Sequence, residues 1–248
     1  MASCGSGAPI CVTASPPSLA SPCTNAAWVS CSGGSTSAVF PFARNTRNPI
    51  PRPRKLLKNF AALAKEALGE RAAGKPVEVW FQDEARVGQQ GTLTRIWARR
   101  GARPRALRDR RFNWAYLFGA VCPVRGVGAA LVLPTVNVEA MNKHLAEIGK
   151  CVSSGAIALL IVDGAGWHGS PKLALPENIV LLKLPPYAPE LNPAENIWEY
   201  LRGNTLSHQV WETYEEIVDA CCNAWNALMR APDIIRSIAT REWAQVET

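Results

Sequence analysis

The sequence predicts an α/β protein in which a mixed sheet carries helices on both faces. Three observations lead there. Strand patterns come first and are followed by helix, strand, strand and two closing helices, an order that builds one sheet covered by crossover segments. Ala156–Val162 (AIALLIV) is a near-continuous apolar run of strand length, as in a strand buried on both faces. Finally, 248 residues with 48% hydrophobic and 19% charged side chains are enough for a full core without stapling.

The elements follow in order. Residues 1–43 hold no charged side chain and show no sustained periodicity, so they are expected to be disordered. Pro49, Pro51 and Pro53 then forbid a helix before about Lys55. Leu57, Phe60, Leu63, Ala64 and Leu68 define an amphipathic linker helix from Leu56 to about Ala73, stopped by Gly74 and Pro76. Strands are expected at Val77–Gln82, Thr94–Ala98, Trp114–Cys122 and Val127–Leu133, then a helix over Val138–Lys150. Ala156–Val162 and Ile179–Leu184 are the next strands. Helices over Pro193–Arg202 and Glu212–Arg230 close the chain, with Pro232 breaking the pattern. The expected division is a low-complexity tract (1–53), a linker helix (54–76) and a catalytic-type domain (77–248).

Several classes are excluded early. No run nears the roughly 18 apolar residues of a membrane span. The first 23 residues lack the basic and apolar regions of a secretory signal, so a cytoplasmic address is expected. The eight cysteines form no CxxC pair or His/Cys cluster, which predicts mostly free thiols and no zinc site.

The net charge of +7 is concentrated in one place. Between residues 95 and 111 stand Arg95, Arg99, Arg100, Arg103, Arg105, Arg108, Arg110 and Arg111, opposed only by Asp109. Such a patch suits a polyanion, most commonly the nucleic-acid backbone, although a charge run also serves simply as a solvated face.

Three acids sit where a sheet of this kind brings distant residues together. Asp83 ends the first strand in WFQDEARVG, Asp163 ends the apolar run in LLIVDGAGWHG, and Glu195 follows the last strand in LPPYAPELNPAENIW. Ligands of open α/β sheets bind beyond strand C-termini, and a carboxylate buried there needs compensation, for which a cation is one remedy. Oxygen ligands without cysteine favour Mg²⁺ or Mn²⁺. Each acid also has a structural reading: a turn cap at Asp83, an Asx-turn at Asp163, and at Glu195 the third position of a capping box begun by Asn192 and Pro193. Glu84 points away from Asp83 if the strand continues, and Glu190 and Glu199 compete for the third carboxylate. His168 is in reach of a phosphate or water near Asp163, and equally of a backbone partner. Trp97, Trp114 and Trp167 suit base stacking or the core.

Taken together, WFQDEARVGQQGTLTRIWARRGARPRA, LLIVDGAGWHGSPKL and LLKLPPYAPELNPAENIWEYLR resemble the DDE transposases of bacterial insertion sequences in the mariner-like superfamily, of the insertion-sequence-630 type. The similarity runs from about Leu57 to Trp243. It implies an RNase H-like five-stranded fold, with Asp83, Asp163 and Glu195 as the catalytic triad holding two Mg²⁺ or Mn²⁺ ions. The family motif places the third acid at the glutamate after Asn-Pro, which favours Glu195 over Glu190 and Glu199.

The implied activity is metal-dependent phosphodiester cleavage and DNA strand transfer, with double-stranded transposon ends and target as partners. Arg95, Arg99, Arg100, Arg103, Arg105 and His168 are the expected DNA contacts, and a homodimer is expected on DNA. Members normally begin with helix-turn-helix end readers, and residues 1–53 carry no such pattern. That departure keeps two alternatives in view, a non-catalytic DNA-binding remnant and an RNase H-like nuclease or resolvase.

Overall fold

A computed structural model describes residues 11–13, 54–89, 99–102, 111–184 and 191–246. Its centre is a sheet whose long strands are β2 (Val77–Gly88), β3 (Trp114–Cys122), β4 (Val127–Leu133), β5 (Ile157–Val162) and β6 (Ile179–Lys183). A three-residue strand, β1 (Cys11–Thr13), pairs in parallel with the outer edge of β4, so the order across the sheet is β1-β4-β3-β2-β5-β6. Nothing in the sequence pattern marks this edge strand. β2, β3 and β4 form an antiparallel meander, whereas β5 and β6 run parallel to β2.

Alternation along the strands divides the core in two. All six residues of β5 are buried: Ile157, Leu159 and Ile161 face one layer, and Ala158, Leu160 and Val162 face the other. The second layer is covered by α2 (Val138–Cys151), which places Met141, Leu145 and Ile148 over Trp80 and Leu160. The side chain of Asn137 starts this helix by accepting the Ala140 N–H at 2.8 Å.

The first layer is covered by four helices: α1 (Arg54–Leu68), α3 (Ala194–Leu201), α4 (Tyr214–Met229) and α5 (Pro232–Ala239). α1 buries Phe60, Ala64 and Leu68, spaced four apart on one face, and ends in a 3-10 turn before Gly74, whose φ of +69° suits glycine. Pro232 does not end the helical region as the sequence suggested. It opens α5, because a proline at the first helical position loses no intrahelical hydrogen bond. Among the described residues, no helix is long and apolar enough to cross a membrane.

β2 also runs further than expected. It continues past Gln82 to Gly88, paired with β3 as far as Trp114, because β3 goes on supplying a partner after β5 has ended. The expected strand at Thr94–Ala98 lies outside the described residues. The base of the segment joining β2 to β3 is stapled to the loop before α4. Gln89, with its side chain buried, donates to Trp211 O at 2.7 Å and accepts from Asn113 N at 3.2 Å. Arg111 adds bonds to Trp211 O at 2.9 Å and to Glu212 at 2.7 Å.

Candidate active site

Strand register sets two of the three acids level with one another. The last residue pair of β2 with β5 is Phe81↔Ile161, and Asp83 and Asp163 each stand two residues beyond it. Equal offsets on adjacent parallel strands set the two backbones side by side where the chains part, and the Asp163 carboxyl turns towards His168, which faces Glu84. The third acid arrives by a lock between distant residues. Asn192, almost fully buried, donates from Nδ2 to Gln82 O at 2.9 Å and accepts the Ala194 N–H on Oδ1 at 3.1 Å. One amide thus closes the turn before α3 and pins it beside the residue preceding Asp83. The capping box expected at Asn192 and Glu195 does not form, because α3 is capped at Pro193 with no side-chain bond and Asn192 meets Glu195 N through its backbone oxygen.

Positions 192, 195 and 198 follow a three-residue spacing and form one stripe. Trp198 on that stripe donates its indole N–H to Asp83 Oδ2 at 2.9 Å, and the charge of Glu195 reaches Asp83. Room for the indole comes from Gly119, the cross-strand neighbour of Asp83 on β3. A Cβ there would lie 2.5 Å from Trp198 Cη2 and 2.8 Å from Trp225 Cζ3, so glycine is required by close approach.

Electrostatics set the acids apart. Burial pushes Asp83 up to about 7, with the charges of Glu195 and Glu84 adding to the rise against the Trp198 hydrogen bond. Asp163 is held below the usual carboxylate range, chiefly by His168, despite partial burial. Its Oδ1 lies 2.9 Å from His168 Nδ1 and accepts the Ala165 N–H at 2.9 Å, so the Asx-turn foreseen in the sequence does form. The Asp163 side chain remains 47% exposed. Burial alone would lower the pKa of His168, but its bonds to Asp163 and Glu84 outweigh that and raise it to about 9.

The other candidates fall out as follows. The His168 side chain is fully buried between Asp163 and Glu84, 3.5 Å from the latter, so the expectation that it touches DNA is corrected: it supports an acid from beneath. Glu84 points away from Asp83, as continuation of the strand requires, and accepts from Gln82 Nε2 at 3.0 Å. Glu199 is exposed one turn beyond Glu195. Arg99 and Arg100 are exposed, while Arg95, Arg103, Arg105, Trp97 and Glu190 lie outside the described residues. Trp114 stacks under the Arg86 guanidinium, 5.1 Å from the ring centroid. Sequence reasoning missed Asn192 as a lock and missed Trp198. Their signal was the Asn-x-x-Glu-x-x-Trp spacing.

Among the described residues, no three His, Cys, Asp or Glu side chains already close on one point as an ion cage. The donor chemistry nevertheless fits a hard cation. Asp83 is partly buried, faces two like charges and receives only neutral donors, the Trp198 indole and the Glu84 backbone N–H, so what it lacks is positive charge.

A mixed sheet with acids at the ends of two adjacent parallel strands and helices on both faces defines the class, an α/β domain. The model of the DDE superfamily endonuclease family matches residues 78–218, and the chain belongs to that family. "Uncharacterized protein y4pE/y4sA" of Sinorhizobium fredii is 57% identical over 131 residues, which cover 53% of this chain and 97% of that protein. Among solved structures, the Mos1 mariner paired end complex with Mn is 16% identical, with a TM-score of 0.52, over 80% of this chain and 64% of that one. The Mos1 strand transfer complex aligns at 15% identity and a TM-score of 0.47, over 82% and 67% of the two chains. The chain thus spans about two thirds of the length of these Mos1 chains. The fold is the RNase H-like fold of the Mos1 catalytic domain, as the sequence resemblance implied.

Proposed function

We propose that this chain is the catalytic domain of a DNA transposase, cleaving phosphodiesters and transferring DNA strands with divalent ions held by Asp83, Asp163 and Glu195. The observation that carries the reading is the level placement of Asp83 and Asp163 at the ends of two adjacent parallel strands, with the start of α3 tied to Gln82 beside Asp83 by Asn192. The fold is shared with a Mos1 paired end complex that contains Mn, which supports DNA ends and a divalent metal as the partners here. A pair of such ions, when bound, supplies activation of the attacking oxygen and charge stabilisation at the leaving oxygen.

The chain's own residues prepare the site. Trp198 orients the Asp83 carboxyl, His168 and the Ala165 N–H hold Oδ1 of Asp163, and Asn192 fixes the reach of Glu195. Arg99 and Arg100, with Arg95, Arg103 and Arg105 of the same segment, hold the DNA backbone without reading its sequence. Pairing two transposon ends calls for two copies of the chain on DNA. End selection is assigned to no residue within 1–53.

The test uses supercoiled plasmid and Mn²⁺. Wild-type protein nicks and joins DNA. Asp83→Asn and Asp163→Asn each lower cleavage about a thousandfold or more while DNA affinity stays within about threefold, because metal ligands are removed and the grip on phosphate is kept. Wild-type protein that binds plasmid without cutting it would establish a binding remnant instead. Nicks that never proceed to joined product would establish a nuclease.

A further inference from the structure

We propose that Glu84 is a positioning residue that sets the carboxylate of Asp163 through His168. The inference rests on the metal-holding role of Asp163 and adds a buried relay behind it. The geometry is a chain of contacts across two strands. Gln82 Nε2 donates to Glu84 Oε1 at 3.0 Å, Glu84 Oε1 lies 3.5 Å from His168 Nε2, and His168 Nδ1 lies 2.9 Å from Asp163 Oδ1 and 3.1 Å from Asp163 O. The imidazole is completely buried and the Glu84 side chain is only 9% exposed, so neither is placed to meet a substrate. With Nδ1 on Asp163 and Nε2 facing the Glu84 carboxylate, the two acids favour one orientation of the ring.

The consequence falls on Asp163. Its Oδ1 is occupied by His168 and by the Ala165 N–H, whereas Oδ2 makes no hydrogen bond among the described residues and belongs to a side chain 47% exposed. The relay therefore fixes which oxygen faces the crevice. Glu84 stands on β2 and Asp163 follows β5, so the same contacts tie together the two strand ends that carry the acids. Partners of this kind behind a metal ligand typically change metal affinity or activity by about 10–100-fold when removed.

The experiment is Mn²⁺ titration by calorimetry on the full chain, with circular dichroism to confirm folding. His168→Ala weakens Mn²⁺ binding about 10–100-fold and Glu84→Gln about tenfold. His168→Asn keeps an amide nitrogen near the place of Nδ1 but loses the link to Glu84, so it weakens binding about tenfold, as Glu84→Gln does, and less than His168→Ala. Adding Glu84→Gln to His168→Asn changes nothing further, since the link to Glu84 is already gone. A merely structural role would instead make these two changes additive.

Wild-type affinity in folded Glu84→Gln, or additivity in the double variant, overturns the proposal. Should Glu84→Gln not fold, equal Mn²⁺ affinity in His168→Ala and His168→Asn overturns it. A wild-type chain that takes up no Mn²⁺ overturns the metal reading as well. Uptake that is abolished in Asp163→Asn but indifferent to Glu84 and His168 overturns the relay alone.

Discussion

Glu78 and Asp83 stand five residues apart on β2 and are treated in opposite ways. Both carboxyls are partly buried. Glu78 receives the Ser153 N–H, the Trp80 indole and the Arg125 guanidinium at 3.0 Å, and these outweigh burial, so its pKa falls below the ordinary value. Asp83 receives the Trp198 indole and the Glu84 backbone N–H but, among the described residues, no cation; it faces two further acids, and its pKa rises to about 7. One carboxylate has its cation built into the chain, and the other has no side-chain cation among its described neighbours. Leaving a buried charge without a partner costs stability, and its persistence at one end of a strand points to use there.

The comparison breaks first at Arg125. Arg125→Met strands Glu78, and chemical denaturation should show a loss of about 3 kcal/mol; a change under about 0.5 kcal/mol would mean that Glu78 does not depend on its guanidinium.

Next is the metal-free stability of Asp83. A carboxyl of ordinary pKa 3.8 raised to about 7 binds more protons in the folded state, so its contribution falls as pH rises from about 4 to 7. At about 1.4 kcal/mol per unit, reduced by the weaker hydrogen bond that an amide accepts from Trp198, Asp83→Asn should gain on the order of 2 kcal/mol at pH 8 and nothing at pH 4. Thermal melts in a chelator at the two pH values check this, and equal gains at both would remove the electrostatic account.

Gly119→Ala sharpens the comparison from the packing side. The added methyl meets Trp198, so stability should fall by about 1–2 kcal/mol and the indole should leave Asp83, which Trp198 fluorescence and cleavage rate would report together. The smallest effect is expected at the basic segment. Neutralising Arg99 and Arg100 should reduce the log-log salt slope of DNA binding by about 0.9 for each phosphate no longer neutralised, and an unchanged slope would place the DNA path elsewhere.

Much of the fold is legible from periodicity. Trp114–Cys122 and Val127–Leu133 are strands with the expected bounds, and α2 differs by one residue at its end, since each is bounded by turn or capping residues that act locally. The extension of β2 is not legible, because residues 83–88 alternate weakly and are held as a strand by β3. β1 escapes notice for a similar reason: three residues carry no period, and only the open edge of β4 makes them a strand. At the site, Asp83 and Asp163 can be named because strand ends are visible in sequence. The spacing puts Trp198 on the stripe of Glu195, but its bond to Asp83 is not legible, since that depends on Gly119, which is far off in the chain and on another strand. The sequence places His168 near Asp163, but its burial depends on the turn folding back onto Glu84, which no local pattern shows.

The staple at Gln89 and Arg111 has a geometric consequence for any duplex the chain engages. Gly88 lies five strand residues from Asp83, about 17 Å along β2, close to half the roughly 34 Å repeat of B-form DNA. A double helix laid along that strand makes about half a revolution between the two points. The strand of such a duplex that faces the staple is turned to the far side level with the acids, so the two ends of this stretch meet opposite strands of the same half-turn.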